Sequence, residues 1–166
     1  QVVTERVVRG GLFDWLYNTA SGQMLRPLFV RGRLLHRVVG AFADSVWSRG
    51  LNAGFVRAAG VNMAEAAEPI EAYGSLNALF TRRLAPGCRS IDRDPSNLVS
   101  PGDGKLWVAP DLGDRATLPV KGYEVSVRAL VADDDLAARL AGGSAAVLRL
   151  YLGDYHRLHF PADGVP

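Results

Sequence analysis

The chain has 166 residues, of which 48% are hydrophobic and 22% are charged, a composition typical of globular proteins. Its length is sufficient for one domain that buries its own core. Cys88 is the only cysteine, which excludes an internal disulfide. No uninterrupted apolar run reaches the roughly 18 residues that a membrane-spanning helix needs.

The net charge of +2 conceals two parts of opposite sign. Residues 1–60 carry eight arginines and three acidic residues, a net charge of +5, and the rest of the chain carries −3. The arginines lie among apolar residues, a pattern that is typical of segments that bind an anionic surface. They are not interleaved with a compact aromatic face and the rest of the chain is acidic, so nucleic acid is not predicted as a partner.

Helical periodicity dominates the N-terminal part. Residues 11–20 form an aromatic-rich amphipathic stretch, and apolar residues recur at three- and four-residue steps over 23–47, with Pro27 in the first turn. A further helix is predicted over Leu51–Ala59, with Gly60 as its stop. Two interpretations are open: the helices pack on a core and expose arginine to water, or they form a basic surface in a membrane interface.

The C-terminal part changes to short apolar runs separated by turns. Before it, Ser75 is expected to cap a short helix over Leu76–Leu84. Glycine, proline and aspartate punctuate the chain from residue 98 onward, which is typical of strands. The expected strands are Lys105–Ala109, Ala116–Val120, Val125–Val127 and Ala145–Leu152, with a helix over Leu130–Leu140 whose first turn carries Asp133, Asp134 and Asp135.

The predicted fold class is α+β, with amphipathic helices at the N-terminus followed by a β-rich, mainly antiparallel core. We expect the helical region to span residues 1–62 and the β-rich core to span residues 63–166.

Two histidines stand out near the end of the chain. His156 and His159 follow an apolar run and precede Pro161 and Asp163. Residues three apart in an extended segment point to opposite faces, which argues against a simple pair of metal ligands. A metal site with Asp163 is one interpretation, although zinc needs three or four convergent ligands. The other is two imidazoles with different roles, one a general base and one a proton donor or substrate-orienting group.

Asp103 lies in a predicted tight turn, Pro101-Gly102-Asp103-Gly104. An aspartate in a turn commonly bonds its own backbone. It can also orient a histidine, as in a Ser-His-Asp arrangement. His36, in the arginine-rich helix, is interpreted as a surface or packing residue.

Five motifs are spread over most of the chain. They are Leu16–Thr19, Phe80–Asp92 (compare F-T-R-x-L-x-P-x-x-R-P-I), Val99–Lys105 (S-P-x-D-G), Val120–Leu130 (K-G-x-x-Y-S-x-x-x-L-L) and Tyr155–Gly164 (Y-H-R-x-H-x-P-x-x-G). In this order they resemble the phosphatidylserine decarboxylase family. Val125 stands where the family usually has tyrosine, and Ser90 where it usually has proline.

The resemblance implies a pyruvoyl-dependent enzyme made as a proenzyme. In this family a serine in a C-terminal Gly-Ser motif attacks the preceding peptide carbonyl, and cleavage leaves a pyruvoyl group on the new α chain. The pyruvoyl carbonyl is the electron sink for decarboxylation of phosphatidylserine to phosphatidylethanolamine. By this resemblance Asp103 and His159 are the orienting and base members of the self-cleaving triad. His156 would serve decarboxylation.

The resemblance also implies the partners. The chain corresponds to the N-terminal, β-chain portion, and no serine follows its histidine motif. The resemblance implies that residues 1–62 form a helical membrane-interface region and that residues 63–166 form a β-rich catalytic core that is incomplete in this chain. The cleavage serine, and with it the pyruvoyl group, is therefore expected on a separate α chain from the same proenzyme. Gly143-Ser144 is interpreted as a turn. Residues 1–166 alone are expected to have no decarboxylase activity, and neither a cofactor-binding residue nor a metal site is expected within them.

Phosphatidylserine and an anionic membrane surface are the other expected partners, and a homodimer is left open. The expected location is peripheral, on the cytoplasmic face of the inner membrane. Two alternatives stay open from the sequence. One is a non-catalytic lipid-binding relative that lacks the reactive serine, and the other is a metal-dependent hydrolase that uses His156, His159 and Asp163.

Overall fold

The computed structural model describes residues 15, 19–21, 23–24, 33–113, 116–120 and 123–163. The chain divides into two compact units. The first comprises Gln1–Pro101 with Leu152–Pro166, and the second is Gly102–Tyr151. Helices and antiparallel strands together make an α+β fold, as predicted from the sequence.

The N-terminal half of the first unit is helical. Helix α1 spans Arg33–Asp44, a 3₁₀ segment follows over Val46–Leu51, and α2 spans Asn52–Ala59. Gly60 ends α2 in the left-handed conformation, with φ 69°, which confirms the predicted stop. The helix predicted over 23–47 therefore ends at Asp44. Residues 25–32 of this predicted helix, and most of the stretch 11–20, lie outside the described residues.

Helix α3, Leu76–Phe80, begins where it was predicted. The Ser75 hydroxyl accepts a hydrogen bond from the Ala78 amide at 3.1 Å, as an N-cap does. The prediction that this helix continues to Leu84 is wrong. The backbone after Phe80 bonds to a distant segment instead: the Arg83 carbonyl accepts from the Ala67 amide at 2.9 Å, and Leu84 pairs with Ala66. These long-range bonds replace the helical ones.

Short 3₁₀ segments over Met63–Glu65 and Ile70–Ala72 connect α2 to α3. The core of the unit lies around Leu79 and Ser48, both fully buried. The Ser48 hydroxyl accepts from the Leu76 amide at 2.9 Å, which ties the 3₁₀ segment after α1 to the start of α3. A buried polar side chain that is hydrogen-bonded in this way avoids the cost of desolvation.

The second unit contains two antiparallel two-stranded sheets. Strand β1, Lys105–Ala109, pairs with β4, Ala145–Arg149. Strand β2, Thr117–Val120, pairs with β3, Tyr123–Ser126. The four strands were predicted, although β4 ends at Arg149 rather than Leu152, and β3 begins two residues earlier than expected and ends one residue earlier.

The helical part of the second unit corrects a prediction. The single helix expected over Leu130–Leu140 is two helices, α4 over Val127–Val131 and α5 over Asp134–Leu140. Ala132 breaks the helix with a left-handed φ of 52°. The Asp133 carboxylate then accepts from the Leu136 amide at 2.9 Å. Asp133 is thus the N-cap of a new helix and not a first-turn residue of a longer one.

The division at residue 62 does not coincide with these compact units, and it stays a prediction because it concerns contact with a membrane. In the part of the chain that the structure describes, no helix has the length and apolar character needed to cross a bilayer.

Candidate active site

The histidine segment, residues 153–160, has no regular secondary structure but is bonded to the rest of the first unit at several points. The Arg157 Nε atom donates to the Thr81 carbonyl at 2.8 Å. The His159 amide donates to the Pro101 carbonyl at 2.8 Å, and the Val99 amide donates to the Pro161 carbonyl at 3.1 Å. The side-chain bond of Arg157, which lies between the histidines, and the backbone bonds at His159 and Pro161 thus fix the path of this part of the segment.

Arg82 holds the start of the histidine segment. It is 4% exposed, and one guanidinium nitrogen donates to the Gly153 carbonyl at 2.8 Å and the Asp154 carbonyl at 3.2 Å. A buried arginine is uncommon, and the two hydrogens of this one nitrogen allow it to donate to both carbonyls. Arg82 lies two residues after the end of α3 at Phe80, and its bonds link this part of the chain to the start of the histidine segment.

Gly153 allows the segment to approach α2 closely. A Cβ atom at this position would collide with the carbonyl oxygen and carbon of Ala59 at the end of α2. The neighbouring atoms belong to backbone, which cannot rotate away as a long side chain can. The position therefore requires glycine on grounds of space.

The ring of His156 is held from two directions. Its Nδ1 atom lies 3.0 Å from the Asp154 carbonyl oxygen. The Phe80 ring lies against it, with centroids 4.0 Å apart and an interplanar angle of 39°. Phe80 is in turn packed edge-on against Phe55, with centroids 6.1 Å apart. The half-buried imidazole is thus fixed by a carbonyl at one nitrogen and an aromatic stack at one face.

His159 has a different neighbour. Its Nε2 atom lies 3.2 Å from the hydroxyl of Tyr155, and the two rings stack at 5.6 Å with an interplanar angle of 22°. Tyr155 is buried, whereas His159 is exposed. The two histidines therefore contact different partners, which supports different roles for them.

Asp103 belongs to the second unit, in the bend that leads into β1, and it is half-buried. Gly104 follows it with φ 145°, and a Cβ there would lie 2.6 Å from the Arg149 carbonyl oxygen. The predicted turn is confirmed as a bend. The partnership of Asp103 with His159 stays a prediction.

Asp163, the third member of the alternative metal site, is exposed. Among the described residues, no three His, Cys, Asp or Glu side chains are grouped closely enough to hold a metal ion. Sequence reasoning missed three contributors to the site: Phe80, Arg82 and Tyr155. All three lie within the motifs noted above, but nothing in the spacing indicated what they contact.

Comparison with known proteins matches residues 76–165, slightly more than half of the chain, to the family described as phosphatidylserine decarboxylase. Relatives named phosphatidylserine decarboxylase proenzyme are similar over nearly the whole chain. The protein of Ruminiclostridium cellulolyticum is 35% identical over 160 residues, which is 96% of this chain and 53% of the relative. Those of Clostridium beijerinckii and Clostridium kluyveri are 31% and 32% identical, over 98% and 99% of this chain and 55% and 56% of their own lengths.

The chain therefore belongs to the phosphatidylserine decarboxylase family, a family of carboxy-lyases. It spans about half the length of the relatives that it matches. The family predicted from the sequence motifs is confirmed. The motif that carries both histidines falls within the matched residues.

Proposed function

We propose that the protein takes part in the decarboxylation of phosphatidylserine to phosphatidylethanolamine, after self-cleavage of a proenzyme. One observation carries this proposal. The chain belongs to the family, and its histidine segment holds two imidazoles against different partners. In the reaction the serine headgroup loses its carboxylate as carbon dioxide, and a proton takes its place on the same carbon. Proton transfer of this kind needs a positioned acid or base.

The side chains present fit a pyruvoyl cofactor. Such a group supplies an electrophilic carbonyl that withdraws electrons as carbon dioxide leaves. This chain would have to add proton transfer and orientation, and imidazoles with fixed partners are suited to both. Because the cofactor arises from a serine, it is expected on the companion chain of the same precursor.

The two histidines are proposed to act in succession. His159 takes the proton from the serine hydroxyl during self-cleavage, since a hydroxyl is a weak nucleophile at neutral pH. Asp103 orients His159. Its position in the S-P-x-D-G motif, within the residues matched to the family, supports this role. His156 serves the later decarboxylation step.

Strand β1 is proposed to contact the companion chain. Leu106, Trp107 and Val108 are all exposed, and successive residues of a strand point to opposite faces. Both faces of this part of β1 are therefore apolar and open. In the described residues β1 pairs with β4 alone, and a two-stranded sheet is at best marginally stable in water. Further strands of the precursor would cover these faces.

Helix α1 is proposed to lie on an anionic membrane surface, within the interface region of residues 1–62. Leu34, Val38 and Phe42 recur every fourth residue and are all exposed, which gives the helix an open apolar stripe. Trp47, just after α1, is 83% exposed. The net charge of +5 over residues 1–60 favours anionic lipid. We propose a peripheral location, on the cytoplasmic face of the inner membrane.

The enzymatic proposal is tested on the complete gene product. Intact mass should show two chains, the smaller one blocked at its N-terminus by a ketone, and phosphatidylserine labelled at its carboxylate should release labelled carbon dioxide. A single unprocessed chain without release would refute the proposal and favour a non-catalytic lipid-binding relative.

The membrane proposal is tested by vesicle sedimentation. Changing Leu34 and Val38 to serine should weaken binding to vesicles that contain phosphatidylserine by about 10-fold or more, because burying an apolar side chain contributes about 1.5–3 kcal/mol. The matched control changes Ile91 and Leu98, which are exposed residues of the same unit outside α1. Equal losses from the two pairs would contradict a specific role for α1.

A further inference from the structure

The Asp154 carbonyl oxygen contacts two different side chains. It lies 3.0 Å from Nδ1 of His156, and it accepts a hydrogen bond from Arg82 at 3.2 Å. The same guanidinium nitrogen binds the Gly153 carbonyl at 2.8 Å, so Arg82 fixes two successive peptide groups just before the histidine. The direction of the carbonyl that meets His156 is therefore set by a buried arginine.

A carbonyl oxygen can only accept a hydrogen bond. The Nδ1 atom of His156 must therefore carry a proton when it bonds to Asp154. A neutral imidazole has one ring proton, so its Nε2 atom then holds the lone pair. The Phe80 ring, at 4.0 Å, limits rotation of the imidazole and keeps Nε2 pointing in one direction.

We propose that Arg82 is a positioning residue that acts through the Asp154 carbonyl to keep the His156 proton on Nδ1, so that Nε2 exchanges protons with the substrate. This inference rests on the proposed decarboxylation. As the bond to the carboxylate breaks and carbon dioxide leaves, the proton on Nε2 of the imidazolium passes to the carbon. His156 is left neutral with its proton on Nδ1, and solvent restores the other proton.

The chain offers a matched control for Arg82. Arg83 is the next residue and carries the same side chain, but it is exposed. Changing either arginine to methionine removes the same charge and the same hydrogen-bond donors. The two variants therefore differ only in the position of the change. Arg82→Lys is a milder variant that keeps the charge and one donor group. If Arg82→Met does not fold, Arg82→Lys still tests the inference.

The first measurement is nitrogen NMR of the complete gene product labelled in its histidines, at a pH well above the ordinary titration range of histidine. The shifts of the two ring nitrogens report which one is protonated, and a His156→Asn variant assigns the signals. The wild type and Arg83→Met should show His156 protonated on Nδ1. Arg82→Met should show a substantial population protonated on Nε2, and Arg82→Lys an intermediate one.

The second measurement is turnover. Decarboxylation by Arg82→Met should fall by about 10-fold or more in kcat, since a positioned acid or base contributes roughly 10²–10⁴. Self-cleavage, which depends on His159, should still occur. Wild-type protonation of His156 in folded Arg82→Met and Arg82→Lys would overturn the inference. If the wild type does not decarboxylate but its protonation depends on Arg82, the proposed function fails and the positioning role stands.

Discussion

Replacing Gly153 with alanine is expected to destabilise the protein, because the added methyl group has no room. The Cβ atom would lie well inside the contact distance of the Ala59 carbonyl oxygen, and the next nearest atoms are the Ala59 carbonyl carbon at 3.2 Å and the Gly60 carbon at 3.5 Å. All three atoms belong to backbone, so relief requires the histidine segment to move away from α2. Overpacking of this kind costs typically about 1–3 kcal/mol.

The same substitution at Gly54 is the control. Gly54 lies inside α2, and a Cβ there would meet nothing within 4 Å. Alanine in a helix interior is favoured over glycine by about 1 kcal/mol, so Gly54→Ala should raise the free energy of unfolding. The same substitution is thus expected to lower the free energy of unfolding at Gly153 and to raise it at Gly54.

Urea unfolding of the complete gene product, followed by tryptophan fluorescence, measures both changes. The midpoint should fall for Gly153→Ala and rise for Gly54→Ala, with slopes close to the wild-type value. Wild-type stability of Gly153→Ala would refute the close approach of the histidine segment to α2. The contact then could not explain why this position is glycine.

Two further substitutions test local geometry, with the same unfolding assay. Ser75→Ala removes the hydrogen bond that the hydroxyl accepts from the Ala78 amide and should cost about 0.5–2 kcal/mol; no loss would show that Ser75 does not cap α3. Ala132→Gly should stabilise the protein by about 1 kcal/mol, because the left-handed φ of 52° between α4 and α5 is unfavourable for alanine; a loss of stability would contradict that backbone conformation.

Local signals in the sequence predicted several elements well. Ser75 and Gly60 mark a helix start and a helix end through side-chain capping and a left-handed stop, and both effects act within a few residues. A short apolar run between turn residues predicted β1 for a similar reason, since turn residues also act locally. The histidine motif was found because its residue types are chemically distinctive.

The errors arise where distant contacts decide the structure. Helix α3 ends at Phe80 because the following residues bond to segments far away in the sequence, and one of these bonds joins Arg82 to Gly153. No periodicity reveals such a bond. Ala132 misled the prediction differently, because alanine favours helix and only the cap at Asp133 signals a break.

The candidate site shows the same limit. The sequence predicted that His156 and His159 have separate roles, but not that Phe80 stacks on one and Tyr155 on the other. Tyr155 lies only four residues from His159, yet a chain without regular structure has no fixed spacing from which to infer a contact. Packing, which no local pattern encodes, distinguishes the two imidazoles.

The division of labour between the histidines is tested most directly by two single variants of the complete gene product. Each variant is scored for self-cleavage by gel electrophoresis and for release of labelled carbon dioxide from phosphatidylserine. His159→Asn should remain an uncleaved, inactive precursor. His156→Asn should cleave normally yet lose at least about 100-fold in decarboxylation. Normal decarboxylation by His156→Asn, or normal cleavage by His159→Asn, would contradict the account.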